Sequence, residues 1–173
     1  MHHSDWRGVP SGYDVVVIGA GAAGLSAALF SAIRGARTLL VEKSAYVGGT
    51  SALSAGSIWI PNTRHASAVA ASDNADNAER YLQQIIGNRA DAALRAAFLK
   101  AGPEAVEALE NHSEVKLRAY PRHPDYRSEL EGAVVAGRAL EPLPFDGRLL
   151  GDSFRLVRPP IPEFTLAMPR TLH

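Results

Sequence analysis

The chain has 173 residues, enough for one ordinary domain core, and its 18 basic and 18 acidic side chains cancel, which offers no basic face to nucleic acid. No cysteine is present, so disulfides, thiol catalysis and cysteine-held metal are excluded. The six histidines are scattered without metal-ligand spacing, and no metal site is expected.

Residues 1–12 read as a flexible lead-in. Tyr13-Asp-Val-Val-Val-Ile-Gly-Ala-Gly-Ala-Ala-Gly24 then reads as a strand over 14–19 running into a G-x-G-x-x-G turn. The unbroken run Val15 to Ile18 suits a parallel strand buried on both faces. Gly19 permits the sharp turn, Gly21 lets the backbone approach a diphosphate, and Gly24 lets the next helix pack close. A helix follows over 22–34, rich in alanine and leucine, expected buried, with Gly35 as its stop. Its first N–H groups, at Ala22 and Ala23, aim at the phosphates. Residues 37–42 form a second strand ending in Glu42, 18 residues after Gly24. An acidic residue in that place accepts hydrogen bonds from an adenosine ribose. Lys43, next in sequence, joins the expected cofactor-binding set. Val15 to Ile33 lacks charge over a membrane-spanning length, yet the glycines divide it into strand and helix. Only Arg7 supplies basic charge ahead of it, so neither a membrane span nor a signal peptide is expected, and the expected location is cytoplasmic.

Residues 43–62 are a glycine- and serine-rich loop ending in the apolar run Ser57-Ile-Trp-Ile60. Gly48 and Gly49 would present backbone N–H groups, while Thr50, Ser51 and Ser54 offer hydroxyls to phosphate or ribityl oxygens. Ala55 and Gly56 would let the chain pass close to a flat ring. A plain nicotinamide domain has no use for this segment, and Glu42 would repel a 2′-phosphate, so NAD and NADP are poor ligands. The pattern suits FAD.

Helices are expected over 73–87, capped by Asp73 and closed by Gly87, and over 91–101 with Ala93, Leu94, Ala97 and Phe98 in register. Pro103 opens a third, with Val106 and Leu109 inward, taking helix to about 112. Glu114 to Tyr120 reads as a strand. Beyond 120, where eight of the eleven prolines fall, little regular structure is expected. The fold class is α/β: a Rossmann-like dinucleotide-binding domain with a parallel sheet, incomplete, and with an irregular C-terminal segment.

The two motifs together resemble the flavoprotein family of fumarate reductase, succinate dehydrogenase and the 3-ketosteroid dehydrogenases. The ketosteroid branch is the nearer match, on residues 48–62, Pro124-Asp-Tyr126, Gly137-Arg-Ala-Leu-Glu-Pro-Leu-Pro-Phe-Asp146 and Arg158-Pro-Pro-Ile-Pro-Glu163. The resemblance implies non-covalent FAD, hydride transfer to the flavin, and a C=C bond formed beside a ketone of a steroid-like substrate. The electron acceptor is left open. Tyr126 is similar to a tyrosine that lines the steroid site in that branch, and is the candidate catalytic residue; an ordinary loop tyrosine is the alternative. Tyr120, His123 and Arg127 are expected as surface or packing residues, and Trp59 as core rather than a flavin stacker.

Members of the family are far longer, with an inserted substrate domain and with general acid and base tyrosines drawn from later segments. Residues 13–173 therefore read as the N-terminal portion of an FAD-binding domain lacking its substrate domain: a fragment, a truncated product, or a frame change near 165. Two other functions stay open, a fumarate-reductase-type alkene reductase and a catalytically inert nucleotide-binding module. The inert module leads for these 173 residues taken alone.

Overall fold

The computed structural model describes residues 12–69 and 73–164. The lead-in, but for Gly12, and the segment after 164 lie outside the described residues. The described residues form two compact units, one from residues 12–53 together with 150–164, the other within Ser54–Leu149.

The first unit is built on β1 (Val15–Ile18), α1 (Ala22–Ile33) and β2 (Thr38–Val41). The strands are parallel, in register from Val15 opposite Thr38 to Ile18 opposite Val41. Asp14 closes the base of the pair by accepting from the Arg37 N–H at 2.8 Å. The β-branched run favours extended chain and the alanine-rich stretch favours helix. Burial differs from expectation. Val16 is 57% and Ile18 86% exposed, and no residue of α1 is fully buried. A two-stranded sheet with one helix packed on it covers only one face, so alternate side chains of β1 stay open. Later chain joins this unit through short parallel bridges, Gly21 with Gly48 and Val47 with Val157.

The second unit holds β3 (Ile58–Trp59), α2 (Ala75–Ile86), α3 (Ala92–His112), β4 (Leu117–Ala119) and β5 (Ala139–Pro142). The three strands make an antiparallel sheet in the order β3-β5-β4. Val106, Leu117, Ala119 and Leu140 form its core, with Ile58, Ile60 and Val69 packed against them. β5 is the one strand in the described chain after 120, where little regular structure is expected.

Two helix expectations are also corrected. Asn74, not Asp73, caps α2, accepting from the Asn77 N–H at 2.8 Å, because Asp73 turns inward to a buried arginine. α3 runs unbroken through Pro103, so no separate helix opens there. Proline costs the helix one hydrogen bond there, and packing carries it through. Gly102 lies under Ile60, where an added Cβ would sit 3.0 Å from Cγ2. The face of α3 differs too. Leu94 and Phe98 are exposed, while Arg95, Gly102, Val106 and Glu110 are buried. Arg95 turns in because its guanidinium donates to the Ala90 and Gly87 carbonyls.

Candidate functional site

In the first unit the glycine turn leads directly into the N-terminus of α1. Gly21 is the N-cap of α1 and provides no side-chain cap, and the first turn holds no acidic residue. The first-turn N–H groups of Ala23 and Gly24 have no carbonyl within the helix to pair with. The space beside them is open, since a Cβ built on Gly21 would meet nothing within 4 Å. Gly24 is the opposite case: its Cβ would lie 1.7 Å from the Gly19 carbonyl oxygen. Only glycine lets α1 start this close to the end of β1.

Glu42 stands at the end of β2 and spans the turn. One carboxylate oxygen accepts from the Ala20 N–H at 2.7 Å and the other from the Ser44 N–H at 2.8 Å. The Ala20 N–H foremost, and then Ser44, hold its pKa at about 2, so it is ionised at neutral pH.

The second glycine motif interlocks with the first, backbone to backbone. The Gly48 N–H donates to the Ala20 carbonyl at 2.6 Å, and a Cβ on Gly49 would come within 3.1 Å of the Gly21 Cα. The Ala22 N–H reaches the Ser51 hydroxyl at 3.4 Å. Gly19, Gly21, Ala22, Ala23, Gly24, Glu42, Gly48, Gly49 and Ser51 are thus assembled around one helix end. Lys43 and Thr50 are exposed on the same loop.

Ser54, Ala55, Gly56 and Tyr126 belong to the second unit. The Ser54 hydroxyl accepts from the Gly56 N–H at 3.1 Å, and a Cβ on Gly56 would be 3.0 Å from Pro142 Cγ. Tyr126 is 92% exposed and borders a cavity of about 320 Å³ walled by Trp59, Tyr81, Ile85 and His123. The His123 ring lies between Tyr120, 5.1 Å away, and Tyr126, 6.1 Å away. Tyr120 shares a 2.9 Å hydrogen bond with Ser57.

Sequence reasoning missed what holds this wall. Arg138 is 1% exposed. It donates to both oxygens of Asp73 at 2.7 and 2.6 Å, to Asp125 at 2.8 Å and to the Gly132 carbonyl at 2.8 Å. Its guanidinium lies 5.6 Å from the Trp59 ring centroid and 5.5 Å from that of Tyr81. Trp59 donates its indole N–H to Asp125 at 2.7 Å. Burial pushes the Tyr81 phenol up in pKa, and its oxygen accepts from the Arg127 N–H. The loop bearing Tyr126 is therefore pinned on either side of that residue. The sequence signal was faint: an arginine in a Gly-Arg-Ala-Leu run and two distant aspartates. No described helix is long and apolar enough to cross a membrane.

A family model described as "FAD binding domain" matches residues 14–160. A 3-oxosteroid 1-dehydrogenase of Mycolicibacterium smegmatis is 40% identical over 90% of the chain and 27% of the relative. A 4-oxocyclohex-2-ene-1-carboxylate 5-dehydrogenase of Sinomonas cyclohexanicum is 37% identical over 96% of the chain and 28% of the relative. The crystal structure of 3-ketosteroid delta1-dehydrogenase from Sterolibacterium denitrificans, in complex with 1,4-androstadiene-3,17-dione, superposes with a TM-score of 0.78 at 38% identity, covering 84% of this chain and 26% of that one. The chain thus spans little more than a quarter of the length of the relatives it matches.

Proposed function

The chain belongs to the FAD binding domain family, and we propose that it is the cofactor-holding N-terminal portion of a dehydrogenase that introduces a C=C bond beside the ketone of a ring substrate. When bound, FAD supplies the two-electron oxidant for such a reaction by accepting hydride. The observation that carries the reading is the interlock of both glycine motifs with Glu42 at one open helix end. The residues present fit FAD: Gly21 leaves room for a diphosphate, the first-turn N–H groups of Ala23 and Gly24 have no helical carbonyl to pair with, the Ala22 N–H meets the Ser51 hydroxyl, and Glu42 offers an ionised acceptor for ribose hydroxyls. These residues bind and orient the adenosine half in a Rossmann-like way. Thr50 and Ser51 supply hydroxyls beside the phosphates. Ser54, Ala55 and Gly56 border the ring system, and Tyr126 contacts the substrate; these roles rest on the resemblance.

The substrate class follows from chemistry that the relatives' names share, a ketone on a six-membered ring. A steroid is the first choice, and a single-ring keto acid is the second reading, favoured by the Sinomonas relative that matches 96% of the chain. Titrating the purified chain with FAD and following flavin fluorescence tests the cofactor step. Saturable quenching with a 1:1 endpoint is expected, and no uptake would sink the proposal. A protein extended to the relatives' length, assayed with a 3-ketosteroid and with 4-oxocyclohexanecarboxylate, separates the two substrate readings.

A further inference from the structure

We propose that Arg158 is a positioning residue of the cofactor site: through Ser44 it holds the Glu42 carboxylate in the orientation that meets the adenosine ribose. The inference rests on the flavin reading above and adds a residue to it. Arg158 is brought to the site by backbone pairing. The Val47 N–H donates to the Leu156 carbonyl at 2.7 Å, and the Arg158 N–H donates to the Val47 carbonyl at 2.9 Å. From there its guanidinium donates to the Ser44 hydroxyl at 3.2 Å, across 114 residues of sequence. The Ser44 hydroxyl also donates to the Tyr46 carbonyl at 2.6 Å and accepts from the Tyr46 N–H at 3.2 Å, so it is fixed on several sides. The Ser44 N–H then takes one oxygen of Glu42.

The two oxygens of Glu42 are held differently. Ala20, fully buried at the end of β1, fixes one. Ser44 fixes the other from an exposed loop, where backbone positions relax easily. A tether on Ser44 is what keeps the second bond in place. The guanidinium of Arg158 makes no ion pair that would account for its position among the described residues, and its buried Nε has no acceptor there. Ser44 is the side-chain partner it does have. The low pKa of Glu42 agrees, since the Ser44 N–H follows the Ala20 N–H among its causes.

The test uses the 173-residue chain, wild type and with Arg158→Ala, Ser44→Ala and the pair combined. FAD affinity is read by flavin fluorescence and the Glu42 titration by side-chain carbon NMR. R158A is expected to weaken FAD binding roughly two- to tenfold and to move the Glu42 midpoint upward from about 2. In the S44A background, R158A should change neither quantity further. Full additivity of the two substitutions, or a Glu42 midpoint unmoved by R158A, overturns the inference. If R158A does not fold, Arg158→Met keeps the apolar stem but carries no donor for Ser44, and it should shift both readouts in the same direction; an unmoved midpoint in that variant overturns the inference equally. A wild type that binds no FAD defeats the flavin reading and this inference with it. A wild type that binds FAD while the variants behave additively defeats the inference alone.

Discussion

Glu42 joins local structure to the proposed cofactor role most directly. Its pKa is lowered from 4.5 to about 2 by the Ala20 N–H first and Ser44 next. A depressed carboxyl stabilises the fold above its unfolded pKa, and that stability is lost as pH falls through the folded one. The melting temperature should therefore hold steady above pH 4.5 and decline between 4.5 and about 2. Glu42→Gln should make that acid limb shallower, as thermal melts across this range would record. A residual slope should remain from Glu129 and Asp146, lowered by Arg127 and Arg148 beside them. Glu110 adds to it: burial pushes it up, and the Leu117 N–H, His65 and Arg64 outweigh that. The same Glu42→Gln variant should bind FAD more weakly, by roughly tenfold, since a charged acceptor has been replaced by a neutral one. Unchanged flavin affinity in E42Q would show that ribose is not its ligand.

At the scale of elements, two junctions decide the fold. Gly24→Ala would put a methyl carbon 1.7 Å from the Gly19 carbonyl oxygen, a backbone atom that cannot move without shifting β1 or α1. The cost should reach the upper range of overpacking, about 3 kcal/mol or more, and urea unfolding would measure it. Arg138→Met should cost ~3–5 kcal/mol, because Asp73 and Asp125 would be left buried without their partner. Trp59 fluorescence should report that loss, since its ring lies beside the guanidinium and its indole N–H shares Asp125. The elements that were legible in the sequence and those that were not differ in where their stability originates. β1, α1 and β2 declare themselves through local residue type and glycine spacing. β5 does not: Ala139–Pro142 contains a glutamate and a proline, and it is a strand because β3 and β4 pair with it on both edges. The inward face of α3 was hidden for a related reason. Arg95 is polar by composition, yet the carbonyls of Gly87 and Ala90 give it partners once the chain folds back. At the candidate site the glycines and Glu42 could be singled out by spacing. The Arg138 cluster could not, since its partners Asp73, Asp125 and Trp59 are brought together only by tertiary structure.

For the molecule as a whole, the 173 residues by themselves are expected to bind FAD without turning over a ketosteroid. Val16 and Ile18 leave one face of the β1–β2 sheet apolar and open, so the purified chain should self-associate as its concentration rises, which light scattering would follow. Turnover makes demands that binding does not. Holding a substrate carbon against the oxidant can supply ~7–11 kcal/mol of the barrier. Removing the proton beside the ketone needs a placed base, worth roughly 10²–10⁴ in rate. Among the described residues Tyr126 is the candidate to touch substrate, and at 92% exposure it has too little of a wall around it to clamp a ring system. The chain also corresponds to only 27% of the steroid dehydrogenase it matches, and the family resemblance assigns the acid and base to later segments. The expected result with a ketosteroid and an artificial electron acceptor is therefore a rate no higher than that of free FAD. The extended protein should exceed it by orders of magnitude, and Tyr126→Phe in that longer protein should lower kcat. Ketosteroid turnover by the 173-residue chain above the free-flavin rate would mean that positioning and proton removal are both achieved within these 173 residues.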